Sequence, residues 1–287
     1  MNIGIIGIGC IGSSLARDIK TRGLGTLSIF DNNPDFLETS RLLNLRDNYV
    51  PAPADIAKTC DIIFICTPVK TIAPIILEQL LPHLCPHTIL TDVGSVKENI
   101  VTALDGKLPK TIDFIGGHPI TSGTTGTGPE SGRQGVFTNQ PYILTPTPQT
   151  SAEALKTLEN IVLSLGAKPV QLSPDKHDSI FAFTSHLPHI LAFSTVMSAN
   201  RLHQNGGINP TDFAGGSYKD ITRVASSDSR LWTDIFLSNK THILKALDDF
   251  LIDVNALRMM IENNATVDLQ QELDRLSLIK RQTERNK

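Results

Sequence analysis

The sequence predicts an α/β protein. A Rossmann-type doubly wound sheet is expected over residues 1–172, followed by an all-α domain over residues 173–287. Three observations carry this expectation. Short runs rich in Ile, Val and Phe alternate with helical patterns through the first part. A glycine stretch, with Gly7, Gly9 and Gly12 in GxGxxG spacing, joins the first such run to the first helical pattern. After about Ser173 no convincing strand pattern returns, and long helical patterns take over.

The expected strands are 2–6, 26–30, 61–66, 88–91, 113–115, 142–144 and 168–171. Several are apolar almost throughout, as strands covered on both faces must be. Helical patterns at 11–21, 72–81, 97–104 and 152–165 supply the crossovers that parallel strands require. In the second part, helical patterns cover 179–200, 229–262 and 266–281, with Leu269, Leu273 and Leu276 at helical spacing. Gly206-Gly207 and Gly215-Gly216 mark breaks between them.

Bulk properties exclude several classes. A chain of 287 residues, 40% of them hydrophobic, can bury a large core without disulfides. The net charge of -3, with no block of like charges, lacks the concentrated basic face that non-specific nucleic-acid binding needs. Cys10, Cys60, Cys66 and Cys85 form no CxxC pair and read as free thiols of a reducing, cytoplasmic compartment. No basic segment precedes an apolar core at the N-terminus, and no uncharged apolar run is read at the roughly 18 residues a membrane span needs.

The glycine stretch has the context that gives its pattern meaning, because it follows a strand and opens a helix. One glycine permits the tight turn, the next lets backbone approach a pyrophosphate, and Gly12 packs helix against strand. Ile11 lies within the same loop. Free N–H groups at the helix start then face the phosphates. Asp31 ends the second strand, where a carboxylate accepts hydrogen bonds from ribose hydroxyls and repels a 2′-phosphate. No Arg stands beside it, which favours NAD over NADP. Thr67 and Pro68, in "ICTPV", end another strand and are placed beside the same cofactor.

Three further stretches are too polar for scaffolding. "TDVGSVKE" brings Asp92, Gly94, Ser95 and Lys97 to a strand-to-helix passage. "GGHPITSGTTGTGPESG" reads as a loop led by His118-Pro119. "TSHLPHILA" places His186 and His189 at an expected helix start, with Ser185 as its N-cap. A hydride-transfer enzyme needs a group to receive the proton of a hydroxyl, and a histidine suits that role. His118, after a strand, is the best-placed candidate. The HxxH of His186 and His189 lacks further ligands, so no metal is expected. Asp178 and His186 lie two helical turns apart and fall on one helix face.

In order along nearly the whole chain, the GxGxxG, "CTPV", "DVGSVK", "GGHP", "GPESG…VF…ILTP", "HD" at 177–178, "SHLPH" and "DITRVASSDSRLWTDIF" resemble the prephenate/arogenate dehydrogenases of tyrosine biosynthesis. The resemblance implies an NAD-dependent oxidative decarboxylation. His118 would hydrogen-bond the ring hydroxyl, and Ser95 would hold both that histidine and the hydroxyl. Arg223 would bind a substrate carboxylate, where a guanidinium can pair bidentately. His186 and His189 would line the pocket, Asp178 would tie elements of the site together, and Trp232 would pack nearby. A homodimer through the helical domain is also implied.

Departures from the family pattern leave the choice between prephenate and arogenate open. The family reads HPxAGxExSG, whereas here the stretch from Thr121 to Gly128 puts Thr125 where the glutamate stands and Thr127 where the serine stands. Tyr218-Lys219 replaces the usual Phe-Arg. The tail "RQTERNK" reads as solvated, with no room for an appended regulatory domain. Two other readings remain. One is a dehydrogenase of the β-hydroxyacid or pyrroline-carboxylate reductase type, which relies on other groups than "GGHP" and "SHLPH". The other is a non-catalytic NAD-binding protein.

Overall fold

The computed structural model describes residues 1–121 and 126–285. Eight strands form one sheet: β1 (Asn2–Ile6), β2 (Thr26–Phe30), β3 (Asn48–Tyr49), β4 (Ile62–Ile65), β5 (Ile89–Asp92), β6 (Asp113–Pro119), β7 (Pro141–Thr145) and β8 (Lys168–Gln171). Their order is β3-β2-β1-β4-β5-β6-β7-β8. Every neighbouring pair is parallel except β6 with β7. The antiparallel pair has a simple cause. The connection after β6 carries only a short 3₁₀ turn, Pro129–Ser131, and no crossover helix among the described residues. It therefore delivers β7 from the same edge of the sheet.

The strand order reverses between β1 and β4, the switch point at which open α/β sheets bind ligands. Because β2, β1, β4, β5 and β6 are mutually parallel, their C-terminal ends share one edge. Asp31, the glycine loop, Thr67, Ser95 and His118 all follow or end those strands.

Helices α1 (Cys10–Thr21), α2 (Pro34–Leu42), α3 (Pro53–Thr59), α4 (Val69–Pro74), α5 (Glu98–Leu104) and α6 (Ala152–Ser164) accompany the sheet. Two apolar cores result. Ile62 and Phe64 of β4 join Leu15 and Ile19 of α1 and Leu158 of α6. Ile63 and Ile65 instead join Ile56 of α3, Ile72 of α4 and Ile100 of α5. The period-2 alternation of a strand thus explains why β4 is apolar at every position.

The helical part holds α7 (Pro174–Phe181), a π-helical turn (Ala182–His186) and α8 (Leu187–Gly206), then α9 (Gly216–Thr222), α10 (Ser229–Ser238), α11 (Lys240–Glu262) and α12 (Thr266–Arg285). The chain divides into two compact units, Met1–Lys240 and Thr241–Lys287. All four cysteines are free thiols.

Several expectations are corrected. His118 lies inside β6, opposite Ile143 of β7, rather than on a loop. The helix carrying His186 begins at Pro174, capped by Ser173, whose side chain accepts from the Lys176 N–H. Ser185 is therefore no N-cap but part of the π-helical turn. The 229–262 pattern is interrupted at Asn239, which terminates α10. Residues 179–200 carry no Asp, Glu, Lys or Arg, and the helical run Pro174–Gly206 is long and apolar enough, by length and composition, to cross a membrane. The contrary expectation overlooked that the helical pattern at 179–200 is itself free of these charges. Ser122 to Thr125, including the position of the replaced glutamate, lie outside the described residues.

Candidate active site

The glycine loop is shaped for close approach. Gly7 has φ +93°, a left-handed conformation in which a Cβ would also meet the Cys66 carbonyl at 2.7 Å. A Cβ on Gly12 would run into the Gly7 carbonyl oxygen. Gly9, by contrast, faces open space and is the N-cap of α1. The start of α1 has no side-chain cap and no acidic residue in its first turn, so its N–H groups and partial positive charge suit an anionic group. Ile11 packs against the adjoining core. Asp31 accepts from the Ile8 N–H (2.8 Å) and the Asn33 N–H (2.9 Å) and stays half-exposed, which leaves acceptor capacity for ribose hydroxyls. Thr67 lies against Gly7 and receives the Thr71 hydroxyl at 2.9 Å; Pro68 is the N-cap of α4. These residues fit a bound dinucleotide.

Beyond β5 the chain is clamped to β6 by a buried ion pair, Lys97 with Asp92. Lys97 Nζ also donates to the Gly117 carbonyl (2.8 Å), and Asp92 accepts from the N–H groups of Gly94 (2.8 Å) and Gly117 (3.1 Å). Burial lowers the Lys97 pKa, against the pull of Asp92. Such a pair costs desolvation and gains only through full satisfaction. Here it fixes the backbone directly before His118.

His118 stands in a line of polar groups. Its Nδ1 lies 2.8 Å from Nε2 of His177, and His177 Nδ1 lies 2.7 Å from Asp178 Oδ1. Asp178 also accepts from the N–H groups of Lys97 (2.8 Å) and Glu98 (2.9 Å), which fastens α7 to the start of α5. Phe181 packs on both imidazoles, with ring centroids at 4.7 and 4.5 Å. Burial holds the His118 pKa well below the ordinary histidine value, assisted by the charges of His177, Lys97 and His186. Burial likewise lowers His177, with Asp178 opposing. Among the described residues the partner of the His118 ring is His177, not Ser95. Ser95 itself is half-buried at the β5 end.

Further along the helix, His186 is fully buried. Asn239 Nδ2 donates to its Nδ1 (3.1 Å) and to the Asp178 carbonyl (2.8 Å), so Asp178 and His186 are bridged on one face. His186 Nε2 has no partner among the described residues. Burial pushes its pKa down to about 4. His189 stacks on Trp232, centroids 3.4 Å apart and planes 22° apart, while its Nδ1 bonds the Ser185 carbonyl. Burial lowers the His189 pKa, and the Arg223 charge adds to this. Arg223 opens a 3₁₀ turn after α9 and is exposed.

Two family models cover the chain. One, described as "Prephenate dehydrogenase, nucleotide-binding domain", matches residues 15–171; the other, "Prephenate dehydrogenase, dimerization domain", matches residues 173–275. The chain belongs to the prephenate dehydrogenase family. It is 34% identical over 261 residues to the cyclohexadienyl dehydrogenase of Zymomonas mobilis subsp. mobilis, spanning 91% of this chain and 88% of that one. The prephenate dehydrogenase from A. aeolicus in complex with hydroxyphenyl propionate and NAD+ superposes with a TM-score of 0.91 at 32% identity, over 98% of this chain and 97% of that chain. The Synechocystis arogenate dehydrogenase superposes with a TM-score of 0.82 at 32% identity, over 96% and 97%.

Sequence reasoning toward this family site passed over His177, Lys97 and Asn239. "HD" at 177–178 was visible, but only contact with β6 shows what His177 is for. Lys97 stood in a quoted motif, yet a lysine reads as solvated until its burial is known. Asn239 carried no signal at all.

Proposed function

We propose that the chain is an NAD-dependent prephenate dehydrogenase of tyrosine biosynthesis, converting prephenate to 4-hydroxyphenylpyruvate and carbon dioxide. The observation that carries this is His118, kept neutral by burial and held by His177 at the cofactor edge of the sheet. Family membership supports it, as does the relative that holds NAD+ and hydroxyphenyl propionate together.

When bound, NAD supplies the hydride acceptor. The glycine loop and the open start of α1 hold its pyrophosphate, Asp31 its ribose, and Thr67-Pro68 border it. His118 takes the hydroxyl proton as the ring carbon is oxidised, and gives it back as the ring carboxylate leaves and the oxygen becomes a phenol. Ser95 contacts the same hydroxyl. Arg223 pairs with a substrate carboxylate, and the His189–Trp232 stack forms a wall. His186 Nε2 is a buried donor left for substrate. Asp178 holds α7 against α5.

Residues 1–172 then serve as the dinucleotide domain and 173–287 as the helical substrate and dimerisation domain. A homodimer through the helices is supported by the family description and by exposed apolar side chains such as Phe183, Met197, Leu202 and Phe213, the last 80% exposed. The free cysteines fit a cytoplasmic enzyme.

The test is NADH absorbance with purified protein, NAD and either prephenate or arogenate. Rapid signal with prephenate is expected. Signal with arogenate alone would move the specificity to the side-chain end of the substrate. Silence with both, in protein shown to bind NAD, would overturn the proposal.

A further inference from the structure

We propose that His177 is a positioning residue for His118. With Asp178 it fixes the tautomer in which His118 Nδ1 carries hydrogen and Nε2 presents a bare lone pair to the substrate hydroxyl. This rests on the reading of His118 as proton acceptor.

The argument follows the hydrogens along the line. Asp178 receives backbone N–H groups at both oxygens, from Lys97 and from Glu98. As a carboxylate it can only accept. His177 Nδ1 must therefore donate to it across 2.7 Å. A neutral imidazole has one N–H, so His177 Nε2 is an acceptor. The 2.8 Å contact is then satisfied only if His118 Nδ1 donates. That leaves Nε2 of His118 as the single site able to take a proton.

The surroundings enforce neutral rings at rest. His177 and Asp178 are buried, and Phe181 lies over both imidazoles. The Lys97 ammonium and His186 face His118, and Asp92 and Lys97 face His177 along with Asp178. When the hydroxyl proton reaches His118 Nε2, the new positive charge is shared through Nδ1–H with His177 and offset by the Asp178 carboxylate. The same proton returns to the oxygen as the departing carboxylate leaves its bonding pair in the ring. No proton is gained or lost overall. The device acts on the transition state, where charge on His118 develops, and not on substrate affinity.

Two measurements test it. The first needs no turnover: 15N histidine spectra of the wild-type protein, with His118 assigned through its loss in His118→Asn. The Nδ1–H tautomer of His118 is expected near neutral pH, and a dominant Nε2–H tautomer would overturn the proposal. The second compares His177→Leu, which removes the acceptor, with His177→Gln, whose amide oxygen restores one. His177→Leu is expected to lose roughly 10²-fold in kcat with KM for prephenate unchanged. Its acidic pH–rate limb should move, and its His118 spectrum should shift toward Nε2–H. His177→Gln should recover most of the rate. A His177→Leu variant within about twofold of wild type in kcat would sink the idea. So would equal losses in both variants tracking a fall in melting temperature, which would make the role structural. A wild-type protein silent toward both cyclohexadienyl substrates would overturn the proposed function instead, while the spectra would still decide the tautomer.

Discussion

At the scale of single residues, the proposed function assigns a proton acceptor, a carboxylate clamp and a cofactor selector, and each assignment can be tested. His118→Asn should lower kcat by about 10²- to 10⁴-fold with little change in KM, the signature of a group acting in the transition state. A matching loss confined to binding would remove His118 from the proton-transfer role. Arg223→Ala should chiefly raise the KM for prephenate, because the exposed guanidinium has no other described task; unchanged KM would take it out of the carboxylate site. Asp31→Ser should shift the NADP-to-NAD preference by about 10-fold or more, read as a ratio of kcat/KM values. The ratio matters because Asp31 also holds the Ile8 N–H, and a general loosening of the loop would weaken both cofactors alike. Since burial keeps His118 neutral, kcat/KM should stay level above the ordinary histidine range and fall only below it.

At the scale of elements, the site depends on how α7, the π turn and α8 are joined. A helix of constant pitch reads from the sequence as one face carrying Asp178 and His186. The π turn at Ala182–His186 inserts extra backbone between them, and insertions of this kind recur at functional sites. Asn239, at the end of α10, then closes the gap by donating to both Asp178 O and His186 Nδ1. Replacing Asn239 by Ala should cost about 1–3 kcal/mol, since two buried acceptors lose their donor at once. Urea unfolding would show it as a lowered midpoint at constant slope, and an unchanged midpoint would mean that water replaces the amide. The strands and long helices were legible because their apolar periodicity is strong. α2 was not, since Ser40 is its only buried residue, and neither was the two-residue β3.

At the scale of the whole molecule, four histidines, two buried and two half-buried, tie stability to pH. His118, His177, His186 and His189 all have folded pKa values below the unfolded value of about 6.5. Between those values the unfolded chain binds more protons than the folded one. Stability is therefore complete above about pH 6.5 and is lost as pH falls through the folded values, which for His186 is about 4. His186 alone would withdraw on the order of 3 kcal/mol once that window is crossed. Unfolding midpoints measured at pH 7.5 and pH 5 should fall at the lower pH, and a flat profile would contradict the lowered pKa values of these histidines.

The sequence by itself determined the α/β order and the glycine loop with Asp31 after it, and it singled out His118 as the candidate proton acceptor, because each rests on local pattern: apolar period, a turn that only glycine makes, and residues close together in the chain. Tertiary structure alone decided the antiparallel β6–β7 pair, the burial of Lys97 and the meeting of His118 with His177. These depend on contacts between segments distant in sequence. A hydrogen bond across fifty-nine positions, such as that from His118 to His177, leaves no periodic trace in the residues that make it.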